Sequence, residues 1–135
     1  MVELNAPNPR PLQILLVEDN RINQMVASRL LEKMGHQVAI AGNGKIAVEW
    51  IMQNKADLIF MDLQMPVMDG LNAAIEIRKW EAEQSRNPIP IIAATANTSE
   101  EDKNNAFAAG MNDFLSKPLR GETIKAAIIR QMQAA

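Results

Sequence analysis

The sequence predicts one doubly wound α/β domain, a three-layer (βα)5 sandwich with a five-stranded parallel sheet in its middle layer. Three observations favour this fold. Short apolar segments alternate five times with longer segments of helical periodicity. The length of 135 residues and the 47% hydrophobic content suit a single domain with its own core. The chain shows neither an internal repeat nor a change of composition that would mark a second domain.

Strands are predicted where short apolar segments end in polar or turn-forming residues. These segments are residues 12–17, 37–41, 58–61, 89–94 and 113–116. Strands that alternate with helices form right-handed βαβ units, so the sheet is expected to be parallel and covered on both faces. The predicted strand order is 2-1-3-4-5, with the first and third strands as neighbours.

A helix is predicted after each strand. Asn20 suits the N-cap of the first helix and Gly35 its C-terminal stop. The apolar stripe of this helix comprises Ile22, Met25, Val26, Leu30 and Met34. The remaining helices are predicted at residues 44–54, 71–83, 98–109 and 121–132. Thr98 and Glu101 have the spacing of a capping box, which predicts that the fourth helix begins at Thr98.

Residues 1–11 are predicted to be an extended linker, and residues 12–133 to form the domain. The first segment contains three of the seven prolines, with Asn and Arg between them. It has neither the basic nor the apolar region of a secretory signal. The apolar runs are far shorter than the ~20 residues that span a bilayer. We therefore expect a cytoplasmic domain that makes no membrane contact.

Composition also argues against several binding functions. The net charge is -2 and the basic residues are scattered, so no basic stripe is available to follow a nucleic-acid backbone. With no Cys and one His, a zinc site is not expected. Direct nucleic-acid binding is therefore excluded from the predicted functions.

Polar residues that suit chemistry follow the predicted strands. Glu18 and Asp19 follow the first strand, Asp62 the third, Thr95 the fourth and Lys117 the fifth. The carboxyl ends of parallel strands share one edge of the sheet, where ligands bind near the reversal of strand order. We therefore expect these five side chains to converge.

A magnesium site is predicted from the three carboxylates. Like charges within a few Å repel each other unless a cation joins them. Carboxylates with a backbone carbonyl and retained waters suit Mg²⁺, with Mn²⁺ as an alternative. Lys117 and Thr95 add an ammonium and a hydroxyl that suit phosphoryl oxygens. This set of groups indicates covalent phosphoryl transfer onto Asp62.

Four segments give the chain a resemblance to the response-regulator receiver domain, a flavodoxin-like fold. They are residues 14–20, 62–70, 93–97 and 110–118. The resemblance extends from about residue 12 to residue 132. The sequences of the four segments are most similar to those of receiver domains in hybrid sensor histidine kinases. It implies a two-component phosphorelay protein that by itself catalyses only its own phosphorylation and dephosphorylation. The parent chain would be a histidine kinase or a stand-alone regulator.

The resemblance also implies a role for each site residue. Asp62 would accept a phosphoryl group from a phosphohistidine on a kinase core or on a phosphotransfer domain that docks near the first helix. Glu18, Asp19, Asp62 and the Gln64 backbone carbonyl would hold Mg²⁺.

Further roles concern the response to phosphorylation. Lys117, before a cis peptide bond to Pro118, would pair with a phosphoryl oxygen. Thr95 and Phe114 would then switch the surface of the fourth helix, fifth strand and fifth helix. Gln64 and Asn97 would tune dephosphorylation. Phe114 stands where many family members have Tyr, so a signal that needs a phenolic hydroxyl is absent.

The sequence alone also allows simpler roles for single residues and two other functions for the domain. Asp19 and Asp69 are typical helix N-caps, Thr95 could cap the fourth helix, and His36 is predicted to be a surface loop residue. A degenerate receiver would serve only as an interaction module, but it would be expected to lack one of the acids or the lysine. An Asp-based phosphatase would usually carry a second Asp where this chain has Gln64.

Overall fold

The computed structural model describes residues 11–65, 67–96 and 99–133, and five strands alternate there with five helices. The strands are β1 (Gln13–Val17), β2 (Gln37–Ala41), β3 (Leu58–Asp62), β4 (Ile91–Thr95) and β5 (Asp113–Ser116). The helices are α1 (Arg21–Lys33), α2 (Gly44–Gln53), α3 (Gly70–Glu83), α4 (Glu100–Ala108) and α5 (Gly121–Gln133). The predicted linker lies almost entirely outside the described residues.

All neighbouring strands are parallel, and their order is β2-β1-β3-β4-β5. The predicted strand order is therefore confirmed. Asp62 is the last residue of β3 and aligns with Ala94 of β4, while Thr95 aligns with Ser116 of β5. These pairings place the ends of the central strands at one edge of the sheet.

The sheet has a hydrophobic core on each face. One core, here called the α2/α3/α4 core, includes the buried residues Leu15, Met61, Ile77, Ala93 and Ala106. The other, the α1/α5 core, includes Leu16, Leu31, Phe60, Ile92 and Ile124. Residues of β1, β3 and β4 contribute to both cores, which explains the continuous apolar runs of these strands.

Two strands begin later than predicted, and β3 and β4 each end one residue later than predicted, at Asp62 and Thr95. The Ile89 N–H is bonded to Glu81 Oε2 at 2.8 Å rather than to a strand, so β4 begins at Ile91. The Leu12 N–H is bonded to Nδ1 of His36 at 3.1 Å, and β1 begins at the next residue. At both positions the backbone N–H group is bonded to a side chain instead of to the backbone of a neighbouring strand.

The N-terminus of α4 also differs from prediction. Its N-cap is Ser99, whose hydroxyl accepts a hydrogen bond from the Asp102 N–H at 3.1 Å. Two adjacent hydroxyl residues satisfy the same sequence signal, so the sequence alone does not select between them. Thr98, the predicted first residue, lies outside the described residues. Asn20 and Asp69 do cap α1 and α3, through the N–H groups of Asn23 and Asn72.

The prediction that His36 is a surface residue is wrong. Its side chain is 8% exposed, and its ring accepts the hydrogen bond from Leu12 described above. Gly35, with φ of 96°, turns the chain after α1 so that His36 faces the start of β1.

The apolar stripe that was predicted to be the buried face of α1 is only partly buried. Leu30 and Met34 pack against the α1/α5 core, whose buried α1 residues are Ala27 and Leu31. In contrast, the first part of the stripe, here called the α1 patch, is exposed by 69% at Ile22, 48% at Met25 and 47% at Val26. The α1 patch therefore contributes little to folding and remains available for contact.

Candidate functional site

Asp62 occupies a buried position at the carboxyl end of β3. Its side chain is 5% exposed, and Oδ1 accepts a hydrogen bond of 3.1 Å from the Gln64 N–H. The following residue, Leu63, donates its N–H to the Ala94 carbonyl, which holds the chain against β4. A Cβ at Gly70 would overlap the Asp62 carbonyl, so only glycine allows α3 to begin so close to the carboxylate.

Glu18 and Asp19 extend from the end of the neighbouring strand β1. Glu18 is buried, and its Oε2 accepts a hydrogen bond of 3.1 Å from the Asn20 N–H. The Gln24 side chain donates to the Glu18 carbonyl at 2.6 Å. Asp19 is exposed. Each of Glu18, Asp19 and Asp62 has a carboxylate oxygen within 4.8 Å of the other two.

Lys117 joins two of these carboxylates from the end of β5. Its Nζ lies 2.9 Å from Oε1 of Glu18 and 3.1 Å from Oδ2 of Asp62. The Lys117 N–H donates to the Thr95 carbonyl at 2.8 Å, and the peptide bond from Lys117 to Pro118 is cis. The predicted convergence at this edge of the sheet therefore involves direct contacts between the lysine and two acids.

The charges and burial of these groups shift their pKa values in different directions. Burial, together with the Glu18 carboxylate, raises the pKa of Asp62 to about 6, against the effects of the Gln64 N–H and Lys117. Burial also tends to raise the pKa of Glu18, but hydrogen bonds from Lys117 and Asn20 outweigh it and lower that pKa. The pKa of Asp62 is therefore closer to neutral pH than the pKa of Glu18 is.

Thr95 and Phe114 lie on the β4 and β5 side of Asp62. Thr95 is buried at the end of β4, one residue beyond the partner of Asp62 in the sheet register. Phe114 aligns with Ala93 and packs partly against the α2/α3/α4 core. The Lys103 ammonium of α4 lies 5.8 Å from the centre of the Phe114 ring, a contact that sequence spacing did not reveal.

The donor set suits a hard divalent cation. Three carboxylates lie close together, and the exposed Asp19 has no hydrogen bond or ion pair to any of the described residues. Oxygen ligands of this kind, with room for water on the exposed side, are typical of Mg²⁺ sites. Glu18, Asp19 and Asp62 would supply the side-chain ligands.

A groove of about 330 Å³ opens beside the acidic cluster, between α1 and the segment after β5. Glu18 and Lys117 form its polar end, while Val26, Ala27 and Leu119 contribute apolar walls. A larger cleft of about 440 Å³ lies beside Trp80, away from the carboxylates. The smaller groove matters for chemistry because it leads to the residues that contact Asp62.

One predicted site residue, Gln64, does not join this group of side chains, and another, Asn97, is not among the residues that the structure describes. The Gln64 side chain is exposed, although its N–H contacts Asp62. Among residues 11–65, 67–96 and 99–133, no helix is long and apolar enough to cross a membrane.

Comparison with protein families gives a match over most of the chain. The sequence model of the response regulator receiver domain matches residues 14–129. Hybrid signal transduction histidine kinase K of Dictyostelium discoideum is 44% identical over 121 residues, which cover 87% of this chain and 10% of that protein. Sensor protein GacS of Pseudomonas syringae pv. syringae is 37% identical, over 90% of this chain and 13% of that protein. The chain thus spans about a tenth of the length of these relatives.

Solved structures share the fold closely. The receiver domain of a sensor histidine kinase from Pseudomonas aeruginosa PAO1, with magnesium in its active-site cleft, has a TM-score of 0.81 and 38% identity. That match covers 93% of this chain and 99% of the other. A receiver domain from Saccharomyces cerevisiae, crystallised with a histidine phosphotransfer protein, has a TM-score of 0.87 and 36% identity, with 93% of each chain covered.

Proposed function

Because the chain belongs to the response regulator receiver domain family, we propose that it accepts a phosphoryl group from a phosphohistidine onto Asp62. The observation that carries this proposal is the bridge from Lys117 to both Glu18 and Asp62, beside a third carboxylate. All the acids and the lysine that phosphoryl transfer requires are gathered at one edge of the sheet. A degenerate receiver would lack at least one of them.

Asp62 acts as the nucleophile. One of its carboxylate oxygens forms the new bond to phosphorus while the bond between phosphorus and the donor histidine nitrogen breaks, and the imidazole leaves with that electron pair. Lys117 offers its ammonium to a phosphoryl oxygen, and Thr95 offers a hydroxyl from the adjacent strand. The Gln64 N–H keeps the Asp62 carboxylate oriented.

Mg²⁺ is the cation proposed for the acidic cluster, bound by Glu18, Asp19, Asp62 and the Gln64 backbone carbonyl. The Mg²⁺ seen in the Pseudomonas aeruginosa receiver supports this choice. When bound, it would neutralise negative charge on the phosphoryl oxygens and the carboxylates. Gln64 and Asn97 are the residues proposed to tune the lifetime of the acyl phosphate.

Phosphorylation is proposed to change the surface formed by α4, β5 and α5. Thr95 moves toward the phosphoryl group, and the Phe114 ring moves inward as it does so. This movement would separate the ring from the Lys103 ammonium, which lies 5.8 Å from the ring centre. The surface of α4 thereby reports the state of Asp62.

The donor is proposed to be a histidine kinase core or a histidine phosphotransfer domain. The yeast receiver solved with a phosphotransfer protein supports the second class of partner. The exposed α1 patch, next to the groove that reaches Lys117, offers an apolar docking surface. The parent protein is proposed to be a hybrid histidine kinase, the class to which one relative belongs by name, and the domain is proposed to lie in the cytoplasm.

The test uses acetyl phosphate with Mg²⁺ and intact-protein mass spectrometry. We expect the mass of one phosphoryl group to be added in an acid-stable, base-labile linkage. Asp62→Ala should remove the adduct, while the matched control Asp69→Asn, which preserves the N-cap of α3, should keep it. An adduct of equal yield in Asp62→Ala would disprove the proposal.

A further inference from the structure

A cleft of about 440 Å³ lies at the edge of the sheet opposite Asp62. Asp57 and Ile89, which precede β3 and β4, line it together with Trp80 of α3. Asp57 and Asp62 are separated by the length of β3, about 16 Å in an extended strand. The cleft is therefore separate from the acidic cluster, and its volume is typical of small-molecule sites.

Arg86 is held over the Trp80 ring at this cleft. The central carbon of its guanidinium lies 4.9 Å from the centre of the ring. The Arg86 N–H donates to the Glu81 carbonyl at 2.9 Å, which supports this position. The Ser85 N–H donates to the Ala82 carbonyl at 3.2 Å, and with Ser85 at a φ of 55° the two bonds form a Schellman motif after α3. Arg86 therefore presents a planar cation that is already stacked on an aromatic ring.

Lys55 supplies a second cation at the same cleft. A neighbouring hollow of about 280 Å³ shares Lys55, Arg86 and Asn54 with the cleft, so both cations lie where the two spaces meet. Neither cation forms an ion pair with any residue in the described parts of the chain. The Asp57 carboxylate lines the cleft but not the hollow, and it accepts the Gln13 N–H at 2.9 Å. The junction is therefore a positively charged position that suits an anion.

The pairing of a lysine with a stacked arginine suits a phosphate group joined to a planar ring. An ammonium interacts with phosphoryl oxygens as a point charge, and a guanidinium donates in its own plane, so its face stays free to stack. Trp80 covers one face of the Arg86 guanidinium. A base on the opposite face would extend this stack. Two cations match one phosphate group, not the repeated phosphates of a nucleic-acid strand.

The Asn54 side chain adds a hydrogen-bond acceptor to the cleft. Its Nδ2 donates to the Trp50 carbonyl at 3.0 Å, and its Oδ1 accepts no hydrogen bond from the residues that the structure describes. An acceptor beside a stacking surface matches a base that has an exocyclic amino group. Adenine and cytosine carry such a group, whereas thymine does not.

We propose that this cleft binds a nucleotide, with its phosphate between Lys55 and Arg86 and its base stacked on the Arg86 guanidinium. The ligand class is a free mononucleotide with an amino-bearing base. The inference goes beyond the proposed function, since neither Asp62 nor the other acids of the magnesium site take part.

The test follows backbone amide and indole N–H signals while adenosine monophosphate (AMP), adenosine or ribose phosphate is added. Mg²⁺ is omitted, so that it cannot recruit phosphate to the acidic cluster. We expect AMP to shift the signals of Arg86, Asn87 and the Trp80 indole. Trp50, which is not among the residues that line the cleft, is the internal reference. Adenosine and ribose phosphate each lack one of the two recognised groups and should bind about tenfold more weakly than AMP.

Three variants separate charge from stacking. Arg86→Lys keeps the charge but lacks the planar face, so AMP and ribose phosphate should bind to it with similar affinity. Lys55→Met should weaken AMP binding about tenfold and leave adenosine binding unchanged. Lys125→Met, at an exposed position of α5, is the matched control and should bind all three compounds like wild type. All three replaced side chains are exposed, so the variants are expected to fold.

The inference would be overturned if AMP, up to about 10 mM, shifted no signal at the cleft or shifted only signals around Asp62. Equal affinity of the wild-type chain for AMP and ribose phosphate would reveal a general anion site and would overturn it as well. So would AMP binding that is unchanged in both Arg86→Lys and Lys55→Met.

Discussion

Lys117 Nζ lies 3.1 Å from Asp62 Oδ2, and the same ammonium lies 2.9 Å from Oε1 of Glu18. The lysine therefore neutralises part of the charge that the acidic cluster brings together. The Lys117 ammonium also competes with any other cation for those two carboxylates. One side chain thus influences metal binding, and in the proposed function it also contacts the phosphoryl group.

Lys117→Met is expected to keep the fold and to bind Mg²⁺ about tenfold more tightly, a gain of ~1.4 kcal/mol, because a competing unit charge is removed. The same variant should lose the shifts that beryllofluoride produces in α4 and α5. Calorimetric titration and backbone amide spectra measure the two effects. Lys45→Met, at an exposed position of α2, is the control, and equal Mg²⁺ affinity in all three proteins would contradict the competition.

Magnesium binding should weaken in mild acid because Asp62 must lose its proton to serve as a ligand. Its pKa is raised to about 6, so it is mostly ionised at pH 7 and mostly protonated at pH 5. The pKa of Glu18 is lowered, so Glu18 stays ionised over this range. We expect the dissociation constant for Mg²⁺ to be about tenfold larger at pH 5 than at pH 7.

The control for this pH dependence is Asp62→Asn. It should bind Mg²⁺ more weakly than wild type at pH 7 but should show little change between the two pH values. A wild-type affinity that is the same at pH 5 and pH 7 would mean that Asp62 is not the titrating ligand.

The parallel sheet and the position of the acids were predictable from the sequence because both follow from local patterns. Apolar runs such as the one that ends at Asp62 mark buried strands, and parallel strands bring their carboxyl ends together. Glu18, Asp62 and Lys117 therefore had to share one edge of a parallel sheet, and the pairing of β1 with β3 makes the first two neighbours. Their contacts at 2.9 and 3.1 Å agree with that expectation.

Other features depend on tertiary contacts that no local pattern reveals. Ile22 and Ala27 both lie on apolar faces of α1, but only Ala27 is buried against the sheet. Val67 has a φ of 73°, which a β-branched residue rarely adopts, so no local preference predicts it. The contact of Lys103 with Phe114 joins residues from different elements.

Arg78 is a further residue whose role the sequence did not indicate. Its guanidinium donates to Glu81 at 2.6 Å and, at 2.8 Å each, to the carbonyls of Gly110 and Ile89 and to Oδ1 of Asn112. Glu81 is 3% exposed. Removal of the guanidinium would leave this buried carboxylate without its ion pair.

Arg78→Met is therefore expected to lower the free energy of unfolding by about 3 kcal/mol. Arg130→Met serves as the control, because the Arg130 side chain is 52% exposed and its pair with Asp113 should contribute about 1 kcal/mol or less. Urea denaturation at pH 7.5 measures both. Equal losses in the two variants would show that burial of the Glu81 pair is not the cause.

His36 makes stability depend on pH through its bond to the start of β1. Its Nδ1 accepts the Leu12 N–H at 3.1 Å, so the neutral ring carries its proton on Nε2. Protonation would place a second donor on Nδ1, opposite the Leu12 N–H. Burial disfavours the charged form of the ring and lowers the pKa of His36 below its ordinary value of 6.5.

The unfolded chain therefore binds a proton at His36 more readily than the folded chain does. The stabilisation from this residue is complete above pH 6.5 and is lost as the pH falls through the lower pKa of the folded state. His36→Asn, which can accept the same hydrogen bond without titrating, should lose less stability than wild type between pH 8 and pH 5. His36→Leu should cost about 1–3 kcal/mol at pH 8, because the buried Leu12 N–H loses its acceptor. Urea denaturation at both pH values tests this, and parallel losses in wild type and His36→Asn would rule out His36 as the group responsible.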